Sequence, residues 1–165
     1  MTAPSMPLST QFESGDFRKA LGTFCTGVTV VTTPKGEEVV GMTANSFTSV
    51  SLSPALVLVS VGKQSGMNAL IQESKVFGVT ILAADQEDVS NHFAGKKDPQ
   101  VEATLSYLWH EGVPMVESGM ANLACRLWAT YDGGDHTLYL GEVLALRTIK
   151  TAGPLLYFGG YRRLG

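Results

Sequence analysis

The chain is poor in the residues that most often announce chemistry. Its 165 residues include two cysteines, two tryptophans and three histidines. Cys25 and Cys125 lie far apart in apolar surroundings and could close one disulfide at most, which excludes a disulfide-stapled secreted scaffold. The expectation is instead two buried free thiols in a reducing compartment. Neither these cysteines nor His92, His110 and His136 fall at the spacing of metal ligands, so no metal site is expected. Charge is also scarce, at 16% of residues, with a net charge of −3. Basic residues are dispersed, and only Lys96-Lys97 and Arg162-Arg163 are adjacent, so nucleic acid is excluded as a partner on electrostatic grounds. No apolar run approaches the ~20 residues of a membrane-spanning helix. There is no nucleophile elbow, and no pair of carboxylates is placed to suggest acid–base hydrolysis.

What remains is a chain of single-domain size, 44% hydrophobic, with strand-like patterning. Residues 1–11, rich in Pro, Ser and Thr, read as a short tail without a targeting pattern, and 12–165 as one domain. Phe17 to Phe24 reads as a helix with Phe17, Ala20, Leu21 and Phe24 on one face. Val28 to Thr33 and Val39 to Thr43 read as strands joined at Pro34-Lys35-Gly36. Asn45 to Ser53 reads as a polar loop, and Ala55 to Val61 as a strand buried on both faces. Ser65 and Asp85 are the expected caps of two further short helices, on either side of a strand from Val76 to Leu82. Gly95 to Gly119, broken by Pro99 and Pro114, reads as a long loop with brief order around Trp109. Ala121 to Tyr131 and Thr137 to Thr148 form the longest strands, joined by a tight turn at Asp132-Gly133-Gly134-Asp135. Pro154 to Phe158 is a last short strand. About seven strands with two or three short helices disfavour a doubly wound fold. They favour an antiparallel barrel, because closure removes exposed edges.

Three segments exceed what such a scaffold needs. In Thr43 to Ser51, short polar or methyl-sized side chains predominate; this is either a strand-end loop or an edge that reads the pyrimidine side of a flavin ring. Ser60-Val61-Gly62-Lys63-Gln64-Ser65 leads from a strand to a helix start, where phosphate is favoured; the alternative is a plain cap beside a solvated lysine. Gly134-Asp135-His136 follows the hairpin turn, and its histidine is either solvated or functional. Phe93 is either core or a wall against a ring. Hydride transfer between two cofactors suits a chain without a catalytic constellation. It needs two rings held face to face, roughly 3–3.5 Å apart at the reacting atoms.

In order along the chain, Phe17-Arg18, Phe24-Cys25-Thr26-Gly27-Val28, Asn45 to Ser51, Pro54, Phe93, Gly134-Asp135-His136, Gly141-Glu142-Val143 and Pro154 to Tyr157 resemble the flavin reductase family. These are the small reductase partners of two-component flavin-dependent monooxygenases. The resemblance implies a mainly β fold, the FMN-binding split β-barrel, antiparallel and Greek-key-like, in a cytoplasmic homodimer. It implies FMN or FAD and NADH, or NADPH, as cofactors, with reduced flavin released to a monooxygenase component. By matching segments, Thr43, Ala44, Asn45, Ser46 and Ser49 would line the flavin ring and ribityl chain. Ser60, Lys63 and Ser65 would hold the phosphate, and Phe93 would lie against the flavin. His136, Gly160, Tyr161 and Arg162 would bind the nicotinamide, with no residue acting as an acid or base. Some relatives carry a basic residue where Gly66 stands, which leaves Lys63 as the principal local cation. A non-catalytic flavin binder and an FMN oxidase similar to pyridoxamine phosphate oxidases share these features. A haem-binding split barrel would need an axial ligand from His92 or His110.

Overall fold

The computed structural model describes residues 7–149 and 153–164, so part of the expected tail, residues 1–6, lies outside the described residues. The chain opens with helix α1 (Ser14–Leu21), then β1 (Thr26–Gly27), β2 (Thr29–Lys35), β3 (Glu38–Ala44), β4 (Phe47–Leu52) and β5 (Ala55–Gly62). Helix α2 (Met67–Ser74) and β6 (Val76–Ile81) follow, then helices α3 (Glu87–Phe93) and α4 (Pro99–Thr104). The second half holds β7 (Tyr107–His110), β8 (Val113–Val116), β9 (Ala121–Gly133), β10 (His136–Thr148), β11 (Leu156–Tyr157) and β12 (Tyr161–Arg162). The protein is mainly β, and every strand pairing is antiparallel.

Seven strands form one sheet in the order β3-β2-β6-β9-β10-β5-β4. The 13-residue strands β9 and β10 are its spine. Their turn works because Gly134 takes a φ of +76°, a conformation that side chains resist. Alternation puts Val57, Val59 and Val61 of β5 into the core with Val31, Phe77, Val79 and Tyr139, and α2 closes that side with Met67 and Ile71. Each such side chain contributes about 1.5–3 kcal/mol on burial. A second cluster, including Val28, Leu82, Phe93 and Leu155, joins β2 to α3 and the C-terminal strands.

Several expectations are corrected. Asn45 to Ser53 is not a loop, because Phe47 to Leu52 pairs with β5 from Phe47↔Val59 to Leu52↔Ala55. As an edge strand with an open face it tolerates Ser and Thr, which masked the strand pattern. Gly95 to Gly119 is ordered as α4 and the β7–β8 hairpin. Pro99 sits in the first turn of α4, where the Asp98 carboxylate accepts the Gln100 N–H at 2.8 Å. Pro114 lies in β8 of a two-stranded sheet, where its missing N–H breaks no central ladder. The first helix starts three residues earlier than Phe17 and none of its residues is buried. Asp85 does not cap α3; Gln86 is the cap position, and its side chain instead accepts from Ala83 N–H and donates to Ser118, both at 2.8 Å. Ser65 stands one residue outside the cap of α2 but still accepts the Met67 N–H at 3.3 Å. Among the described residues there are four helices rather than two or three. Cys125 is buried as expected, whereas Cys25 is exposed.

Candidate functional site

The turn between β3 and β4 is Asn45-Ser46, and three adjoining clefts share Asn45. The largest, about 570 Å³, lies between this turn, the end of α1 and Tyr157; Arg18, Phe24, Thr26 and Ser46 line it. A second, about 270 Å³, runs past Thr43 to Tyr157 and Tyr161. The third, about 300 Å³, is walled by Phe24, Cys25 and Thr26. The main cleft is the size of a small-molecule site, with aromatic walls and a few convergent polar groups. The turn and loop hydrogen bonds use neither the Asn45 nor the Ser46 N–H.

Register ties this cleft to the second cluster. Ser46 Oγ donates to the carbonyl of Ser60 at 3.1 Å. Three residues further along β5, about 10 Å at strand rise, stands Lys63. Ser60 and Gly62 alternate with the buried Val59 and Val61 and so face out of the core. His136 pairs across from Gly62, putting the imidazole on that same outer edge. Lys63 is not a free cation, because its ammonium is ion-paired with Asp132 across the hairpin. Its N–H donates to the Asp135 carbonyl at 2.9 Å. Asn68 fixes this corner by donating from its amide to the carbonyls of Gly62 at 2.8 Å and Ser65 at 3.0 Å. The hydroxyl of fully buried Tyr139 donates to Asn68 Oδ1 at 2.9 Å. His136 Nδ1 lies 2.7 Å from the Asp135 carboxylate. That hydrogen bond, then the imidazole's charge and, more weakly, Arg18, hold the Asp135 carboxyl below the usual range.

The remaining candidates divide. Thr43 donates to the Ser90 carbonyl at 2.5 Å, and Ser90 Oγ meets the Tyr161 hydroxyl at 2.8 Å, so Thr43 and Tyr161 share one polar chain. Ala44 is 7% exposed, with its methyl in the core; its carbonyl accepts from the Thr29 hydroxyl at 2.8 Å, and it lines none of the three clefts. Ser49 is exposed on β4 and does not line the clefts. Phe93 is also 7% exposed; its ring lies so close under Gly41 that a Cβ there would stand 2.8 Å from it. Gly160 and Arg162 flank Tyr161, and Arg162 is exposed. The sequence reading missed Arg18, Phe24, Thr26 and Tyr157 as lining residues. All four belong to segments that carried the resemblance without being given a role. Among the described residues, no cluster of three His, Cys, Asp or Glu is placed to hold a metal. A smaller apolar cavity, about 170 Å³, lies apart from the site under the β7–β8 hairpin.

Thr26 Oγ1 is buried and has no hydrogen-bond partner in the protein. An orphaned hydroxyl is costly, and this one belongs to a residue that lines two of the clefts. The donors and acceptors of Thr26, Asn45 and Ser46 suit the carbonyl and imide edge of a flavin.

A family profile described as a flavin reductase like domain matches residues 21–165. The chain is 43% identical over 168 residues to an NADH-dependent flavin reductase of Rhodococcus sp, covering 99% of this chain and 94% of that protein. It is 41% identical to an NADH-dependent FAD reductase of Streptomyces globisporus, covering 98% and 91%. Among solved structures, a flavin reductase in its native state superposes with a TM-score of 0.87 at 41% identity, covering 93% of this chain and 99% of that one. A Streptomyces globisporus NADH:FAD oxidoreductase in complex with NAD and FAD fragments gives a TM-score of 0.83 at 40% identity, covering 95% and 98%.

Proposed function

This chain belongs to the flavin reductase like family, and on that premise we propose that it passes hydride from NADH to FMN or FAD and releases the reduced flavin to a partner monooxygenase. The observation that carries the reading is the cleft at Asn45, lined also by Thr26, whose buried hydroxyl has no partner in the protein. A bound flavin supplies the two-electron acceptor, and the chain's own groups hold and orient it. Thr43, Asn45 and Ser46 face the ring, with Ser49 further along β4. The N–H groups of Asn45 and Ser46 meet the negative charge that develops on the pyrimidine side. Phe93 acts from beneath, by setting the surface of β3 through Gly41. Ser60, Lys63 and Ser65 form the phosphate end. His136 orients the nicotinamide on the open face, and Gly160, Tyr161 and Arg162 close over it.

Asp132 already holds Lys63, so an incoming phosphate must compete with a carboxylate for that cation. This weakens retention, which suits a flavin that leaves after each turnover. The sheet is the curled half of a split barrel, and the domain spans residues 12–165 behind the tail. A second copy covers the exposed apolar groups Phe17, Leu21 and Phe24, a homodimer with the site near its seam. The cytoplasm, with its NADH pool, is the compartment of the reaction.

The test is stopped-flow mixing with NADH and, in turn, FMN, FAD and riboflavin. Rapid bleaching of free oxidised flavin is the expected result. Bleaching only on addition of an amine would replace the reductase by an oxidase, and no bleaching would leave a flavin binder.

A further inference from the structure

We propose that Arg18 binds the pyrophosphate of a dinucleotide, making it a specificity residue of the cleft that separates FAD or NADH from ligands lacking a diphosphate. The proposal rests on the reductase reading and adds a residue and a ligand group to it. Arg18 lies in the last turn of α1 and lines the 570 Å³ cleft with Asn45, Ser46 and Tyr157. Among the described residues its side chain makes no hydrogen bond and no ion pair, unlike Lys63, which Asp132 holds. Arg126 is likewise committed to Glu142, and Arg147 to Asn122 and the Glu117 carbonyl. Arg18 is therefore the uncommitted guanidinium at the cleft.

A cation in a last helical turn also complements the helix dipole, which is the structural role to be separated from binding. Lys19 satisfies that role in the same turn without lining the cleft. Arg18 belongs to the α1 wall, whereas the proposed monophosphate site lies along β5 beyond Ser60. One phosphate on Lys63 and Ser65 leaves Arg18 unused; a diphosphate passing the cleft engages it. A planar five-donor fork suits adjacent phosphoryl oxygens better than an ammonium does.

The experiment compares the full chain with Arg18→Ala and Arg18→Lys. Steady-state KM is measured for riboflavin, FMN and FAD at saturating NADH, and for NADH with riboflavin as acceptor. Equilibrium binding of FAD and riboflavin is followed in parallel by flavin fluorescence. In Arg18→Ala, the KM of FAD relative to FMN, or the KM of NADH relative to riboflavin, rises by about tenfold or more, the scale of a charge-assisted hydrogen bond, while the KM of FMN relative to riboflavin is unchanged. Arg18→Lys recovers part of that loss. A rise for FAD alone assigns the pyrophosphate to the flavin, and a rise for NADH alone assigns it to the nicotinamide. Parallel changes for all ligands, as a structural role would give, or no change in either ratio, overturn the proposal. A wild-type chain that binds FAD but turns over no flavin refutes the reductase reading instead, and the binding ratio then decides Arg18 alone.

Discussion

Thr26→Val should make the protein more stable and its flavin site weaker. The substitution keeps a β-branched side chain of nearly the same shape and removes only the hydroxyl. In the free protein that hydroxyl is buried without a partner. Leaving such a group unsatisfied costs about 1–3 kcal/mol, so its removal should return a gain of that order. For a domain of this size each kcal/mol moves Tm by about 2–4 °C, so thermal unfolding should shift upward by about 2–12 °C. If the hydroxyl serves a flavin in the cleft, the variant loses one net hydrogen bond of about 0.5–1.5 kcal/mol. That corresponds to a rise of about 2- to 12-fold in flavin KM. Differential scanning fluorimetry without ligand and steady-state kinetics with riboflavin read the two effects separately. A lower or unchanged Tm would show that the hydroxyl is satisfied in solution. A higher Tm with unchanged flavin KM would make it a packing defect with no place in the site.

His136→Ala should lower kcat/KM for NADH by about tenfold, the value of one hydrogen bond to a charged group, while flavin affinity stays fixed; unchanged NADH kinetics would remove His136 from the site. The Asp135 carboxyl lies below its ordinary value chiefly because His136 bonds to it. The pair is therefore intact above the ordinary carboxylate range and is lost as pH falls through the lowered value. An NMR titration should place the Asp135 midpoint lower in the wild type than in His136→Ala, and coincident midpoints would sink that reading. Gly78→Ala would set a Cβ 2.2 Å from the Pro114 carbonyl and should destabilise the chain by about 1–3 kcal/mol; an unchanged Tm would deny the contact between β6 and β8. At neutral pH an alkylating agent should label Cys25 and spare Cys125, whose thiol burial pushes up to about 12; two labels per native chain would contradict that burial.

Inner strands were readable from residue type, because Val28 to Thr33 and Ala55 to Val61 carry their own β-branched or apolar pattern, although β5 buries Val57, Val59 and Val61 on one face and leaves Leu58 and Ser60 partly exposed rather than burying both faces. Edge elements were not. Phe47 to Leu52 is a strand because β5 offers it a ladder, and no property of Thr48, Ser49 or Ser51 alone signals that neighbour. Pro99 and Pro114 read as breakers because a single sequence does not tell a helix start or a short outer strand from a loop. The polar edge of the cleft was legible at Asn45 and Ser46, where small polar side chains crowd a turn. Its opposite wall was not, because Arg18, Phe24 and Thr26 come from one stretch of chain and Tyr157 from another, far along the sequence, that only the fold brings beside Asn45. Pairing partners were equally hidden: nothing local indicates that Asp132, 69 positions away, takes up the charge of Lys63.

The Asn68 bracket makes the two ends of the site mechanically unequal. At one end Tyr139 reaches out of the core to hold Asn68, which in turn holds the carbonyls of Gly62 and Ser65. At the other end, Asn45 is exposed and Ser46 makes one side-chain bond to the β5 backbone. A ligand spanning both meets a rigid mould at its tail and a compliant one at its ring. In the proposed site the stiff end would set where the ring arrives, and the soft end how long it stays. Changes at Asn68 should blur alignment and appear in kcat, while changes at Asn45 should appear in dissociation rates. On the proposed reading, accuracy of placement and speed of turnover would fall to different stretches of chain, Asn68 and Asn45.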